Sequence, residues 1–467
     1  MPAWLNQLLP ILLLLAAIFV VTKRLPKIDL GHSEEFKRRR FWNWFPLGLT
    51  YAFLYMGRYN FSANASALDA LHLVNKQEFG NIDAAASATY GVAFLLNGPL
   101  TDRWGGRVTI LLAAGGSAVM NALIGVVIQQ ALAGKLEHQQ VVTALTVLSA
   151  ANMYFQSFGA VSIVKVNAPW FHVRERGMLG GVFGILISLG LYFAYDWSRF
   201  IAKALPMQWA FHIPALLLLG FLALDYFIIR DTPGHAGFKD FDTADASSGD
   251  TGERLGVFEV AKRMFSQRVI LIIIAIEFCS GFLRNAVMKW YLVFADKTGA
   301  KGGFVATNWG VLLCVAGIIG GVFAGFISDH VFGSRRGPVA TVLYGGLVVG
   351  AAVVLFVLGH PAVGWTVVFM SLCVIGVHGM LSGTASMDFG GKKNAGVVTG
   401  IIDGFVYLGT ALQAVLYGAI LPEGDLAKDP ANWRQWPMAM LPVAIVGLAL
   451  ATRVWYARPQ RQGAAAH

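Results

Sequence analysis

Apolar stretches long enough to cross a lipid bilayer recur along almost the whole chain, and this feature constrains the fold most strongly. A membrane-spanning helix needs about 20 predominantly apolar residues, and only helices or closed barrels satisfy their backbone hydrogen bonds inside lipid. Hydrophobic residues make up 56% of the 467 positions, charged residues make up 13%, and the mean hydropathy is +0.60. The composition therefore indicates an all-α membrane protein with many spans and excludes a soluble domain.

We predict one leading apolar helix near residues 4–22 and twelve further spans. The twelve lie near 44–66, 84–101, 107–131, 141–167, 177–197, 208–229, 268–293, 305–328, 339–358, 363–384, 396–420 and 434–453. A polar stretch, expected to be a flexible connector that ends in a short amphipathic helix, divides them into two groups of six. The predicted units are an extra N-terminal transmembrane helix with a basic linker (1–43), a six-helix bundle (44–229), a cytoplasmic linker (230–267), a second six-helix bundle (268–455) and a cytoplasmic tail (456–467).

The positions of the basic residues indicate how the chain crosses the membrane. The net charge is +10, and 24 of the 36 Lys and Arg residues fall on one side of the predicted spans, whereas eight fall on the other. Such an excess marks the cytoplasmic side, so the charge reports orientation and predicts no nucleic-acid partner. We expect a multi-pass protein of the bacterial inner membrane with a cytoplasmic C-terminus. Because no charged residue precedes the leading apolar run, we interpret it as an uncleaved helix with a periplasmic N-terminus.

Two arginines lie inside predicted spans at equivalent places in the two groups of helices. Arg58 lies in FPLGLTYAFLYMGRYNFSA and Arg284 in VILIIIAIEFCSGFLRNAVMKWYL, 226 positions apart. Asp102 in GPLTDRWGGR and Asp329 in GFISDHVFGSRRG are 227 apart. Placing an arginine in the bilayer core costs several kcal/mol of insertion free energy, so two such residues indicate a functional role for both. Their common offset is typical of a duplicated transporter with an anion site between its halves.

The repeated loop resembles the cytoplasmic loop motif of the major facilitator superfamily. Its acidic residues end their helices, and its basic residues provide ion-pair partners at the cytoplasmic face. This resemblance implies a major facilitator fold with two six-helix bundles, to which the extra N-terminal transmembrane helix is added. We predict a cytoplasmic gate formed by Asp102, Arg103, Arg107, Lys165, Asp329, Arg335 and Arg336.

Within that superfamily the chain resembles the organophosphate:phosphate antiporter family from residue 45 to about residue 420. The similar stretches are MGRYNFSAN, WFHVRERG, WAFHIPA, IIRDTPGHAG, FLRNAVMKW, SDHVFGSRRG and GGKKNAGVVTGIIDGFVYLG. The resemblance implies exchange of a sugar phosphate or glycerol phosphate for inorganic phosphate. It also implies that Arg58 and Arg284 bind the phosphoryl group.

Three positions depart from the family pattern. Phe94 stands where members commonly have a lysine, Ile187 stands where a histidine is often found, and Lys289 stands where the glycerol-phosphate type has an acidic residue. These departures leave open a different organophosphate, a phosphonate or a carboxylate as the substrate.

Further residues are candidates for the same site. Regular helix geometry places Lys289, five residues after Arg284, roughly 140° around the helix and nearer its outer end. Substrate binding and snorkelling to the interface are both open for this lysine. The predicted substrate-binding set is completed by Tyr59, Asn60, His378 and Tyr407, and the possible proton-coupling residues are Glu277 and Asp403. A direct ion pair between Glu277 and Arg284 is an alternative, because seven residues place them on nearly one helix face.

The resulting functional hypothesis is a secondary active transporter that works by alternating access. Its partners would be a small anionic substrate, inorganic phosphate as counter-substrate, and membrane lipid. The alternatives are a proton-coupled organic-anion symporter and a non-transporting organophosphate receptor. We find no nucleotide motif, metal-ligand spacing or nucleophile–base arrangement, so the sequence predicts neither an enzyme nor a cofactor or metal.

Overall fold

The computed structural model describes residues 11–12, 31–172, 186–243, 257–332 and 336–456. This part of the chain is helical and contains no β-strand. Of the predicted leading helix, only residues 11 and 12 are described, and both are helical. The rest of that prediction, like residues 177–185 of the predicted fifth core span, lies outside the described residues.

The main helices of the described residues fall into two groups along the chain. In the first half they are α1 (Glu34–Ala63), α2 (Lys76–Trp104), α3 (Gly106–Leu132), α4 (His138–Asn167), α5 (186–204, with a π-helical turn at Phe193–Trp197) and α6 (Trp209–Ile228). In the second half they are α7 (Val257–Ser266), α8 (Arg268–Met288), α9 (Trp290–Lys297), α10 (Trp309–His330), α11 (Arg336–Val357), α12 (Ala362–Ile420) and α13 (Gln435–Arg453). Two shorter helices, Ala65–Ala70 and Phe304–Thr307, lie between them.

Helices α1 and α2 begin well before their predicted apolar spans, because polar caps start them. The Ser33 side chain accepts a hydrogen bond from the backbone amide of Phe36 at 3.2 Å. Asn75 and Glu78 form a reciprocal capping box at the start of α2. Caps of this kind satisfy backbone amides that have no partner within the helix. As a result, Asp83 is a helical residue of α2 and does not belong to a preceding loop.

The tenth and eleventh predicted spans are joined in the structure. We predicted separate helices at 363–384 and 396–420, but helical backbone is continuous over α12 from Ala362 to Ile420. The prediction of an interruption was wrong because the Gly- and Lys-containing stretch between the spans keeps its helical hydrogen bonds. The apolar portions Ala362–Gly379 and Val397–Ile420 each remain long enough to cross a membrane.

Eight helical segments in the described part of the chain have the length and hydropathy of a membrane span. Helices α1 and α2 are not among them, because they carry the polar residues of the caps and of the central site described below. Polar residues of these two helices, such as Arg58 and Asp83, are buried in the interior of the protein.

The two halves pack most closely along α2 and α12, and glycines make this approach possible. A Cβ added to Gly80 would lie 2.8 Å from the Cα of Gly418, and one added to Gly91 would lie 2.7 Å from the carbonyl oxygen of Gly404. A Cβ on Gly400 would lie 2.6 Å from the carbonyl oxygen of Phe94. The small residues let the two backbones touch over several turns.

The linker is less flexible at its start than we predicted. Asp231 accepts a hydrogen bond from the backbone amide of Arg107 at 2.8 Å, and Trp170 donates its indole N–H to the carbonyl of Arg230 at 3.0 Å. Phe238 and Phe241 contact the ring of Phe36. The described residues 230–243 are therefore anchored on the first half, whereas 244–256 lie outside the described residues. The predicted amphipathic helix is present as α7, whose Met264 packs against Ile270 and Val397.

Ion pairs join the two halves at what we call the distal end, which is the end opposite to the turn at residues 102–107. The pairs are Asp69 with Lys297, Arg199 with Asp296 at 2.9 Å, and Lys76 with Glu423 at 3.3 Å. The carboxylate of Asp196 also accepts the backbone amides of Gly310 and Val311 at 2.9 and 3.1 Å. The distal end is therefore closed by contacts that cross from one half to the other.

Candidate functional site

Arg58 lies at the centre of the first half and is surrounded by neutral groups. Its Nε and Nη2 donate to the amide oxygen of Gln156 at 3.3 and 3.2 Å. The guanidinium lies 4.5 Å from the ring centroid of Tyr55 and 4.6 Å from that of Tyr90. Aromatic faces attract a buried cation by about 2 kcal/mol or more when water is excluded. These neighbours stabilise the buried charge without neutralising it.

Gln156 is itself fixed by a polar network inside the first half. Its amide nitrogen donates to the carbonyl of Leu54 at 2.9 Å and to the hydroxyl of Ser117 at 2.7 Å. These two bonds orient the amide oxygen toward Arg58. The arginine therefore has a defined position before any ligand arrives, which reduces the ordering that binding requires.

Arg284 enters from the second half, and Tyr407 of α12 contacts both arginines. The Arg284 guanidinium lies 5.2 Å from the ring centroid of Tyr407, whereas Arg58 Nη1 donates to the Tyr407 hydroxyl at 3.4 Å. Both arginines are buried, and neither forms a salt bridge with any carboxylate among the described residues. The structure thus brings together one unneutralised guanidinium from each half.

A central cavity lies beside this pair. Its lining residues are Tyr59, Ser87, Met153, Arg284, Asn285, Met288, Lys289, Tyr407 and Thr410. The cavity volume is about 10 Å³, which is roughly the space for one water molecule. The cavity is therefore too small for a phosphate ester in this structure, and a larger ligand needs a rearrangement of the residues that line it.

Lys289 lines the same cavity as Arg284, so the expectation that it points away from the arginine was wrong. Helix α8 ends at Met288, and α9 begins at Trp290. Lys289 itself keeps αR dihedrals, and its backbone amide donates to the carbonyl of Asn285 at 3.2 Å. The helical phase therefore holds up to this residue, and its long side chain reaches the cavity from another direction than Arg284. The Lys289 ammonium forms a buried ion pair with Asp83 of the first half, and Asn285 donates to the other oxygen of Asp83 at 3.1 Å. Lys289 does not snorkel outward in this structure.

Asn60 lies away from the cavity, although we predicted that it binds substrate. Its side-chain nitrogen donates to Asn121 Oδ1 at 2.8 Å and to the carbonyl of Ala210 at 3.1 Å. One residue along α1 from Tyr59, it faces the neighbouring helices of its own half. The structure therefore gives Asn60 a packing contact and leaves Tyr59 as the cavity-lining residue of the two.

The predicted proton-coupling residues lie in the second half. Glu277 is fully buried, and its Oε2 lies 3.1 Å from Nδ1 of His378. Glu277 Oε1 has no hydrogen-bond partner among the residues that the structure describes. The carboxylate pairs with His378 rather than with Arg284, so the alternative of a Glu277–Arg284 ion pair is not what the structure contains. Asp403 is buried one turn before Tyr407 on α12.

The predicted gate residues are only partly described. Lys165 forms an ion pair with Asp102 at 2.7 Å within the first half, and the Arg103 side chain is exposed. Arg107 Nη2 donates to the carbonyl of Tyr226 at 2.6 Å. Three further members, whose side chains lie outside the described part of the chain, are Asp329 near the end of α10, Arg335 and Arg336.

Sequence reasoning missed Gln156 and Asp83. Gln156 is one of two amides, with Asn152, in the stretch NMYFQSFG, and an uncharged polar residue inside a span is a weak signal. Asp83 immediately precedes the predicted span 84–101, so it fell outside the predicted helix. The capping box at Asn75 and Glu78, eight and five residues before Asp83, was the signal that would have placed it in the helix.

Comparison with known proteins defines the class of this protein. The family model of the Major Facilitator Superfamily matches residues 47–414, so the chain belongs to this superfamily of membrane transporters and is not an enzyme. Within the superfamily, the relatives that it matches are members of the organophosphate:phosphate antiporter family, which the sequence motifs resemble. The multi-pass all-α fold and the transporter class are thereby confirmed.

Its relatives are distant but cover nearly the whole chain. The glycerol-3-phosphate transporter of Bacillus subtilis is 25% identical over 94% of this chain and 97% of its own length. A probable hexose phosphate transport protein of Chlamydia trachomatis is 24% identical over 92% and 93%, respectively. The membrane sensor protein UhpC of Salmonella typhimurium is 23% identical over 83% and 87%.

A solved structure shares the fold. It is the crystal structure of a bacterial homologue of the human lysosomal transporter Spinster, in an inward-facing and unoccupied conformation. The TM-score is 0.65, with 11% sequence identity, over 91% of this chain and 98% of that one. At this identity the likeness supports the fold alone.

Proposed function

We propose that this protein exchanges a small organic phosphate, or a related organic anion, for inorganic phosphate across the bacterial inner membrane by alternating access. The distal end would face the periplasm, as the distribution of basic residues predicts. The observation that carries the proposal is the meeting of Arg58 and Arg284 at Tyr407 with no carboxylate on either guanidinium among the described residues. Relatives named as glycerol-3-phosphate and hexose phosphate transporters support a phosphate ester as the ligand.

Charge and geometry both favour a phosphoryl group. Each guanidinium presents two parallel N–H groups that match two phosphate oxygens. A dianion between two fixed cations is balanced, whereas the pair alone leaves two buried positive charges that are costly to enclose. The empty site therefore resists closing more than the loaded site does, which favours exchange over return of the empty carrier.

Replacing either arginine by lysine tests the paired-guanidinium site. Arg58→Lys and Arg284→Lys keep the charge but lose the two-pronged contact, so we expect phosphate counterflow to fall at least tenfold in each variant, on the order of 1.4 kcal/mol or more. The measurement is uptake of labelled phosphate by proteoliposomes loaded with phosphate, and of labelled organic phosphates by the same vesicles. Arg453→Lys, an exposed arginine at the end of α13, is the matched control.

Near-normal exchange by both lysine variants would contradict the site. Exchange that continues at the same rate when no anion is present on the opposite side would contradict antiport. The two results are distinguishable. Loss of the site changes exchange in the arginine variants, whereas a uniport mechanism shows in the wild type as flux that does not need an anion on the opposite side.

Proton-coupled symport is the second candidate, and the buried Glu277–His378 pair favours it. One oxygen of Glu277 has no hydrogen-bond partner in the described part of the chain, and an ionisable pair inside a span is typical of a proton pathway. The test uses vesicles that contain no counter-anion. If symport operates, an imposed pH gradient drives uptake of the organic anion into these vesicles.

A receptor is the third candidate, because one relative is named as a membrane sensor protein. A receptor would bind an organic phosphate with an affinity that Arg58 and Arg284 determine, yet would show negligible flux in the same vesicles. Binding measured on the purified protein beside counterflow separates this reading from transport.

A further inference from the structure

The Asp83 carboxylate is held by two residues of the other half, Lys289 and Asn285. Both oxygens of the Asp83 carboxylate are held by the second half, one by the Lys289 ammonium and the other by the Asn285 amide at 3.1 Å. Asn285 directly follows Arg284, and all three of Arg284, Asn285 and Lys289 line the central cavity. Lys289 and Asn285 therefore form a carboxylate-binding site that lies beside a phosphate-binding arginine.

Asp83 belongs to the other half, so its carboxylate occupies this site only while the halves meet at the distal end. Asp83 is on α2, and its two partners are on the segment from α8 to α9. When the distal end opens, α2 and α8 move apart, and the Asp83 carboxylate leaves with its helix. Lys289 then faces the opening with an unpaired positive charge. Asn285 keeps its bond to Gln413 of the same half, and the N–H that Asp83 accepted is free for a ligand.

We propose that Lys289 and Asn285 form a second anion subsite, which Asp83 fills when it is empty and which a second acidic group of the substrate takes when the distal end is open. The substrate class is an organic phosphate that carries an additional acidic group, such as a carboxylate, a few bonds from the phosphoryl group. This inference rests on the proposed function, because the phosphoryl group is assigned to Arg58 and Arg284.

The physical reason is the charge that must be balanced near the cavity. With the halves apart, a phosphoryl group balances the two arginines but leaves the Lys289 ammonium without a partner. Charge-assisted hydrogen bonds to a carboxylate are stronger than bonds to a neutral hydroxyl. A ligand with an acid group at that position therefore binds better than a matched ligand with an alcohol there.

Two ligands that differ only at that position provide the test: 3-phosphoglycerate and glycerol 3-phosphate. The readout is the ratio of their inhibition constants against phosphate self-exchange, taken within each variant. Asp83→Asn removes the competing carboxylate, so we expect the preference for 3-phosphoglycerate to rise by roughly tenfold, whereas Lys289→Gln should lower it by roughly tenfold. Lys289→Arg keeps the cation and should retain the wild-type preference.

The opposite directions separate a subsite from a simple latch. A latch between halves is broken equally by Asp83→Asn and by Lys289→Gln, and neither change would then alter the ratio of the two ligands. The double variant Asp83→Asn/Lys289→Gln removes both charges of this pair, so it serves where a single variant folds poorly, and its ratio should match that of Lys289→Gln. Asp425→Asn and Lys428→Gln, from an exposed pair, should leave the ratio unchanged.

Several outcomes would overturn the proposal. The first is a ratio of inhibition constants that stays within about twofold of the wild-type ratio in both single variants. The second is a ratio that shifts in the same direction in both single variants. The third is a wild-type protein that does not prefer 3-phosphoglycerate over glycerol 3-phosphate. A drop in 3-phosphoglycerate binding in Asp83→Asn would also overturn it, because Asp83 would then be a substrate contact. Failure of the proposed function looks different: phosphate exchange would be absent in the wild type, or insensitive to Arg58→Lys and Arg284→Lys.

Discussion

At the scale of single residues, the site depends on how two buried cations are stabilised without being neutralised. Gln156 and the tyrosine rings hold Arg58 through an oxygen dipole and π-faces, and Tyr407 offers its hydroxyl to Arg58 and its ring to Arg284. A carboxylate in any of these places would cancel the charge that an anionic ligand needs. Neutral acceptors keep the positive potential in the cavity.

Tyr407 therefore has two separable contributions. We expect Tyr407→Phe, which removes only the hydroxyl, to weaken phosphate binding severalfold, because one hydrogen bond contributes roughly 0.5–1.5 kcal/mol. Tyr407→Leu also removes the ring that faces Arg284 and should weaken binding further. The measurement is the inhibition constant for phosphate in counterflow. Equal binding by Tyr407→Leu and the wild type would show that the contact to both arginines is incidental.

At the scale of helices, close packing between α8 and α12 positions Arg284 against Tyr407. A Cβ on Gly281 would lie 1.8 Å from the carbonyl oxygen of Val406, and one on Gly409 would lie 2.1 Å from that of Phe278. The two helices touch backbone to backbone within one turn of both site residues. Glycine is required here for approach and not for an unusual dihedral angle.

Gly281→Ala should force the two helices apart. Overpacking of this kind costs about 1–3 kcal/mol, so we expect a lower melting temperature and weaker phosphate exchange, because Arg284 moves with α8. Gly220→Ala in α6, where nothing lies within 4 Å of the added Cβ, is the control and should not lower the melting temperature. An unchanged melting temperature for Gly281→Ala, measured in detergent, would contradict the packing argument.

At the scale of the whole molecule, the distal ion pairs and the small central cavity describe one closed arrangement. Arg199 with Asp296 and Lys297 with Asp69 join the halves where they would separate for outward opening. In this arrangement helices α2 and α12 are in contact over several turns beside the site. The pairs at the distal end therefore set how readily the protein opens on that side.

Asp296→Asn should shift the protein toward the state that is open at the distal end. The Arg199 guanidinium, mostly buried, would lose its carboxylate, so closing becomes less favourable by about 1–3 kcal/mol. The measurement is labelling of Ser87→Cys, in the cavity lining, by an impermeant maleimide added outside, after Cys279, Cys314 and Cys373 are replaced by serine. We expect labelling to quicken severalfold. Asp425→Asn, an exposed aspartate, is the control, and equal rates in both variants would count against a distal gate.

The sequence by itself determined the fold class, the superfamily and the two arginines. Spans depend on local composition, and Arg58 and Arg284 are conspicuous because a charge in an apolar stretch has few explanations. The helix starts were harder, since capping residues such as Asn75 lie outside the apolar pattern.

Only the tertiary structure decided which side chains meet. Tyr407 lies 349 positions from Arg58, and Asp83 lies 206 from Lys289, so no local pattern links either pair. Asn60 and Tyr59 are neighbours in sequence, yet one faces its own bundle and the other the cavity. The reason is physical: a helix presents each residue to a different neighbour, and the neighbours are chosen by packing across the whole chain.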